Sequence, residues 1–320
     1  MSNHAVQPQE TWHKYHATKL EDYLTCPRYA FYRQIIGWQK ESTRNHLAFG
    51  SAWHELQEVL LRQGYTAEAL AAGMDAFLLR YRRAFGPETD ELFTPKTPST
   101  ALTAAAHYIM EYAEKDRNQK VLHLETCGAV PVSADRVIRF KMDSILEDAR
   151  GVFSREHKTG SSSGRQWMDK WLLAMQVGTY THALYCLYPQ ERVWGVEVSG
   201  TFFLKTKINF ARVPCRASMP MLNAWLYDVN NWLDRFEADV DRLMTEDSEA
   251  SPVMASFPRN PLSCTNYYGC EYHPFCLSWA NPLQHLDDIP MGFYQEFWDP
   301  EKTTEDKDLL EEKENLGVLR

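Results

Sequence analysis

Between residues 221 and 244 the apolar side chains Leu222, Trp225, Leu226, Val229, Trp232, Leu233, Phe236 and Val240 recur at steps of three and four, which predicts one long amphipathic helix. A shorter stripe, Leu20, Leu24, Phe31 and Ile35, is broken by Pro27 and predicts two short helices meeting near Cys26, with Thr18 and Glu21 in capping-box positions at the start. Helical spacing returns over 51–62, 67–84 and 100–120, with a proline-containing loop at 87–98. From Val121 the pattern changes. Stretches 122–132, 137–146 and 151–157 are rich in β-formers separated by short turn signals and read as an antiparallel meander. A helix over 167–187 and a strand over 193–204 follow, so the order of elements predicts an α/β layer fold with a mixed sheet.

Composition adds bounds to this picture. The 320 residues are 44% apolar and 24% charged, enough for a core in one large domain or two small ones, and they exclude a disordered or collagen-like chain. No apolar run approaches the roughly 18 residues of a membrane span, and the opening MSNHAVQPQE lacks the features of a signal peptide, so a cytoplasmic protein with no membrane association is expected. The net charge of −9 does not exclude nucleic acid. Acid is concentrated in 237–249 and 299–314, whereas Arg28, Arg33, Lys40 and Arg44 make the early segment locally basic, and binding follows the local field.

The sharpest chemical signal lies in the meander. Asp148-Ala149-Arg150-Gly151 suits a type I turn, and pairing Asp148 with Gly151 sets Asp143 opposite Glu156. Facing carboxylates repel unless a cation or proton lies between them, and Lys158, two residues beyond Glu156, shares their face. Two oxygen ligands beside an ammonium are equipment for phosphodiester hydrolysis with Mg²⁺ or Mn²⁺. The plain alternative is a solvated hairpin with an ordinary cross-strand salt bridge, and a one-residue slip would part the carboxylates.

Further motifs weigh against that alternative. Asp143-x12-Glu156-His157-Lys158-Thr159-Gly160 resembles the active-site motif of the PD-(D/E)XK nuclease superfamily, in particular its RecB-like branch. The segment from Leu20 to Tyr29 resembles the family's N-terminal helix, Gly50 to His54 its Gly-x-x-x-His motif, and Gln176 with Tyr180 its Gln-x-x-x-Tyr motif. Two departures stand out: Met142 replaces the proline before the aspartate, and Glu156 replaces the more usual aspartate before the lysine. Neither removes a carboxylate or the lysine.

The resemblance implies a restriction-endonuclease-like αβββαβ core with a mixed central sheet, a single domain over 18–298 with a helical insertion at about 56–120, an N-terminal tail at 1–17 and an acidic tail at 299–320. It implies His54, Asp143, Glu156 and the His157 carbonyl as metal ligands, Lys158 as catalytic lysine, Gln176 and Tyr180 as active-site groups, and Arg28, Tyr29, Gln176 and Tyr180 as substrate-binding positions. Glu125, on the first strand, is an outer acidic candidate.

Cys264, Cys270 and Cys276 form C-x5-C-x5-C, and clustered thiols in a reducing compartment point to a shared metal. Several RecB-like nucleases join one N-terminal cysteine to three clustered C-terminal ones around a [4Fe–4S] cluster, and the resemblance implies Cys26 with Cys264, Cys270 and Cys276 in that role, within a segment at about 258–282. The expectation is a metal-dependent deoxyribonuclease acting on single-stranded DNA or free ends, in recombination, repair or phage DNA processing. Without a Walker A loop, any helicase partner is another polypeptide. A non-catalytic binding module and a zinc-stapled endonuclease are the alternatives.

Overall fold

Proline and glycine positions explain much of the punctuation in the computed structural model, which describes residues 6–41, 44–247, 250–266, 269–297 and 299. In chain order its elements are β1 (Tyr15–His16), α1 (Ala17–Thr25), α2 (Pro27–Ala30), β2 (Trp38–Lys40), α3 (Asn45–Gln63), α4 (Ala67–Tyr81), α5 (Pro98–Tyr112), β3 (Lys120–Pro131), β4 (Val137–Asp148) and β5 (Gly151–Gly160). Then follow α6 (Arg165–Asp169), α7 (Met175–Leu187), β6 (Val193–Phe203), β7 (Ile208–Cys215), α8 (Met219–Thr245), α9 (His273–Ser278) and β8 (Phe293–Gln295). Pro27 starts α2 at its first turn, where its missing N–H costs nothing, and Cys26 sits at the break. No helix among the described residues is long and apolar enough to cross a membrane.

The chain divides into two compact units. The first comprises 1–41, 131–139 and 227–320. Here β1 pairs in parallel with the opening of β4, Tyr15 opposite Ile138, and β2 pairs antiparallel with β8. The part of α8 within this unit buries Val229, Leu233, Phe236 and Val240, while Tyr15 and Tyr23 donate to Glu237 (2.5 Å) and Asp239 (2.7 Å) on the same helix.

The second unit comprises 42–130 and 140–226 and holds the expected αβββαβ core as α3-β3-β4-β5-α7-β6. Its sheet is mixed, with β3 paired to β4, β4 antiparallel to β5, β5 parallel to β6 and β6 antiparallel to β7. The central strand β5 is buried from Val152 through His157, as a strand covered on both faces must be. Its register is the expected one: Asp148 pairs with Gly151 and Ser144 with Arg155. Gly151 takes φ +123°, a conformation that favours glycine, with the Arg192 carbonyl close to where a Cβ would lie. Helix α3 and the insertion helices α4 and α5 share an apolar core, centred on Phe49, Trp53, Leu56, Phe77 and Tyr81.

Several expectations are corrected. Helix α1 is capped by His16, whose Nδ1 accepts from the Lys19 N–H at 3.3 Å, so the helix starts before Thr18 and no Thr18–Glu21 box forms. Residues 10–16, expected as tail, form a 3-10 turn and β1, with Trp12 buried and donating to the Ile35 carbonyl. Helix α5 ends at Tyr112 because the chain then turns to bury Asp116 between two arginines. The helix expected over 167–187 is broken into α6 and α7 around Trp171, which folds inward beside Lys158. Strand β7 was not foreseen. The acidic tail from residue 300 onward lies outside the described residues.

Candidate active site

Hairpin register and helix periodicity bring the nuclease-like residues together within the second unit. On β4 and β5, Asp143 accepts the His157 backbone N–H at Oδ2 (2.7 Å), which ties the two strands where the facing carboxylates sit. Helix α3 supplies His54, whose Nδ1 lies 3.0 Å from Asp143 Oδ1. Lys158 Nζ lies 2.6 Å from Glu156 Oε1. From α7, Gln176 Nε2 donates both to Glu156 Oε1 (3.0 Å) and to the Tyr180 hydroxyl (2.8 Å), and Tyr180 donates to the Lys141 carbonyl on β4. The four-residue spacing of Gln176 and Tyr180 is what lets one amide bridge both.

The electrostatics follow from this crowding. Burial penalises the charge of Asp143, yet the adjacent His54 holds its carboxyl well below the usual range. Burial likewise opposes charge on His54, but Asp143 dominates and lifts the imidazole to about 9. Glu156 goes the other way: burial and then the charge of Asp143 raise it. Its Oε2 is buried without a hydrogen-bond partner. Glu125 on β3 is raised to about 7, first by burial and then by Asp143, and pairs with Lys141 at 3.0 Å.

Not every expected residue joins this constellation. Arg28 and Tyr29 belong to the first unit. Arg28 is 2% exposed, with Nε donating to the Phe257 carbonyl (2.9 Å), so its guanidinium holds the 254–257 segment and has no open face for a strand. The Tyr29 hydroxyl bonds Glu271 and Arg33 at 3.3 Å each. The His157 imidazole is buried, its Nε2 without a partner, and burial drives its pKa down to about 3. Lys141 and Trp171 were missed. Lys141 had a signal, since it lies two residues before Asp143 on the same strand face. Trp171, over which the Lys158 ammonium sits at 5.7 Å, had none.

The donor set fits a hard divalent cation in its chemistry. Two carboxylates and an imidazole converge, and the bare, buried Oε2 of Glu156 is an acceptor without a donor. Among the described residues no three His, Cys, Asp or Glu side chains stand as a finished metal cage, and His54, held protonated by Asp143, would have to give up one imidazolium proton to ligate.

The first unit carries Cys26, Cys264, Cys270 and Cys276, and the second the other three cysteines. Cys26 Sγ accepts the Asn260 N–H at 3.2 Å, and the Cys270 N–H donates to the Cys264 carbonyl at 2.9 Å. Burial, then the neighbouring Cys276, Cys26 and Cys264, push the Cys270 thiol up to about 11 against a backbone hydrogen bond from Tyr272. Cys127 and Cys186 are exposed and Cys215 is buried.

On the sheet face opposite Glu156 lies a second charged cluster. Arg155, fully buried, pairs with Asp116 (2.9 Å) and Glu197 (2.7 Å), and Arg212 grips Asp116 through two 2.6 Å bonds. No local sequence pattern marks it, because its members come from β5, β6, β7 and the turn after α5.

No curated protein matches the chain. A solved structure titled "Crystal structure of SSO0001" covers 71% of this chain and 78% of its own, at 13% identity and a TM-score of 0.28, a likeness too slight to carry an argument. The family comparison is decisive: with αβββαβ core and motif residues assembled as above, and a match to the PD-(D/E)XK nuclease superfamily over residues 16–277, the chain belongs to that superfamily of phosphodiester-cleaving enzymes.

Proposed function

We propose that the protein is a divalent-metal-dependent deoxyribonuclease of the RecB-like branch that degrades single-stranded DNA from free ends, in recombination, repair or phage DNA processing. The observation that carries this reading is the intact trio of Asp143, Glu156 and Lys158 on one face of the β4–β5 hairpin. A module that only bound DNA would have no need to bury two opposed carboxylates.

Asp143 and Glu156, with His54 and the His157 carbonyl, would hold Mg²⁺ or Mn²⁺. Such an ion supplies Lewis acidity to the scissile phosphate and lowers the pKa of the attacking water. Lys158 places a positive charge beside Glu156, where negative charge grows on the phosphate during attack. Gln176 locks the Glu156 carboxylate while spending its second amide hydrogen on Tyr180, so this pair positions the carboxylate. Trp171 lies against the Lys158 ammonium and shields that side from water.

We further propose a [4Fe–4S] cluster on Cys26, Cys264, Cys270 and Cys276 of the first unit, whose thiols do not stand as a formed metal site among the described residues. Arg28 has a buried Nη1 without a partner, and its charge, with that of Arg259, opposes the burial that raises Cys276. Cations beside a thiolate set suit a cluster of net negative charge.

The test compares anaerobically purified wild type with Lys158→Ala on end-labelled linear and on circular single-stranded DNA, with Mn²⁺, Mg²⁺ or EDTA. Metal-dependent loss of the linear substrate alone, absent in the variant, supports the reading. Cleavage of circles would replace it with an endonuclease, and an inert, folded wild type would leave the binding module. Brown colour lost in Cys276→Ser but kept in Cys127→Ser would support the cluster.

A further inference from the structure

Lys96 lies in the insertion, between the 3-10 turn Pro87–Phe93 and α5, far from every motif in the sequence. The fold nevertheless brings its ammonium to the end of the catalytic strand. Lys96 Nζ donates to Thr159 Oγ1 at 3.3 Å, and Thr159 directly follows Lys158. The ammonium lies 5.8 Å from the Phe49 ring centre, and Gly50, one turn before His54, faces the Thr159 hydroxyl.

Lys96 is half-buried, and a cation drawn out of water is often matched by a carboxylate. Among the described residues none pairs with Lys96. Burial alone drives its pKa down to about 8, with no acid offsetting it. Lys96 and Arg44 add to burial in lowering His46, at the start of α3. The Thr159 hydroxyl accepts from Lys96, and no acceptor among the described residues takes its proton. An ammonium without a counter-ion and a spare hydroxyl donor make a receptor for one anionic oxygen.

We propose that Lys96 and Thr159 form a phosphate subsite that holds the phosphodiester next to the scissile one, so that the helical insertion sets where the nucleic-acid strand runs across the site. This rests on the nuclease reading above, because only a polymeric substrate carries a second phosphate beside the one attacked. Side chains alternate along the strand, so Thr159 lies on the sheet face opposite Glu156 and Lys158, and the subsite sits at the end of β5, where a strand of nucleic acid leaving Lys158 would pass around the sheet edge. Lys96 is thus a binding and positioning residue whose loss weakens substrate capture more than the chemical step.

The test uses the full-length protein and a fluorescein-labelled single-stranded oligothymidylate, with Ca²⁺ replacing Mg²⁺ to allow binding, and a series in which one linkage at a time is a neutral methylphosphonate. Lys96→Met keeps the aliphatic stem against Phe49 and removes the charge. Its affinity is expected to fall roughly ten-fold, its salt slope to shrink by about 0.7, and its melting temperature to hold or rise. One methylphosphonate position should weaken wild type and leave Lys96→Met unaffected, and Lys96→Arg should retain most of the affinity. In Mg²⁺ the loss should appear in KM, with kcat nearly unchanged. A wild type that cleaves DNA while Lys96→Met binds with unchanged affinity and slope, or a neutral linkage that affects both proteins equally at every position, overturns the subsite and leaves the nuclease reading intact. A wild type that neither binds nor cleaves overturns both.

Discussion

His54 Nδ1 and Asp143 Oδ1 lie 3.0 Å apart, joining the core helix α3 to the β4–β5 hairpin through one ion pair. The contact places a positive charge between α3 and a buried carboxylate that otherwise faces Glu156. His54→Ala should therefore destabilise the protein in EDTA by about 2 kcal/mol, since it leaves two acids crowded without their counter-charge. Asp143→Asn alone should cost less, and the double variant should fall short of the summed losses by roughly 1 kcal/mol or more, as expected for residues in direct contact. Urea melts of the four proteins in EDTA check this, and strict additivity would show that the pair is not coupled.

Glu156 has the opposite balance. Burial and Asp143 raise its pKa, so at neutral pH its charged form subtracts from stability, and that loss is relieved as pH falls and the group protonates. Glu156→Gln should raise the melting temperature of the metal-free protein by roughly 2–4 °C while abolishing cleavage. Mg²⁺ should stabilise wild type and leave the variant unmoved. Calorimetry with and without Mg²⁺ reads both effects, and a variant less stable than wild type in EDTA would mean that the carboxylate is at ease where it lies.

Asp116 supplies the pH dependence. Burial alone would raise it, but Arg212 and Arg155 bring it down to about 2. A depressed carboxylate stabilises above its unfolded pKa and loses that contribution as pH falls through the folded one. About 2 kcal/mol should therefore be present above pH 4 and vanish between pH 4 and pH 2. Asp116→Asn should be less stable at pH 7 by at least that amount, and its stability curve should converge with wild type near pH 2. Parallel curves across that range would remove Asp116 from the acid transition.

Which of these features the sequence reveals depends on the range of the interaction. The Asp143–Glu156 opposition was legible because a two-residue turn fixes hairpin register and a period of two fixes the face. Gln176 and Tyr180 were legible because helical spacing aligns them. The Asp116, Arg155, Glu197 and Arg212 cluster was not, since its members meet only once the sheet and α5 have packed. Lys96 was hidden for the same reason. The break between α6 and α7 escaped because the helical pattern over 167–187 is continuous, and tertiary burial of Trp171 outweighs local propensity.

Gly178 shows how closely the site depends on its supporting layer. It lies inside α7, where glycine costs roughly 1 kcal/mol relative to alanine, so propensity alone favours replacing it. Its Cα face is occupied by the Trp225 indole, which a Cβ would overlap, and the indole ring is too rigid to yield. Gly178→Ala should therefore destabilise the protein by about 1–3 kcal/mol. It should also lower cleavage, because tilting α7 draws Gln176 and Tyr180 away from Glu156. Pairing it with Trp225→Leu should restore part of both, as the smaller side chain vacates the contested volume. Melting curves and initial cleavage rates for the single and double variants decide the matter: a stabilised Gly178→Ala with normal activity would show that α7 has room to shift and that the glycine is there by chance.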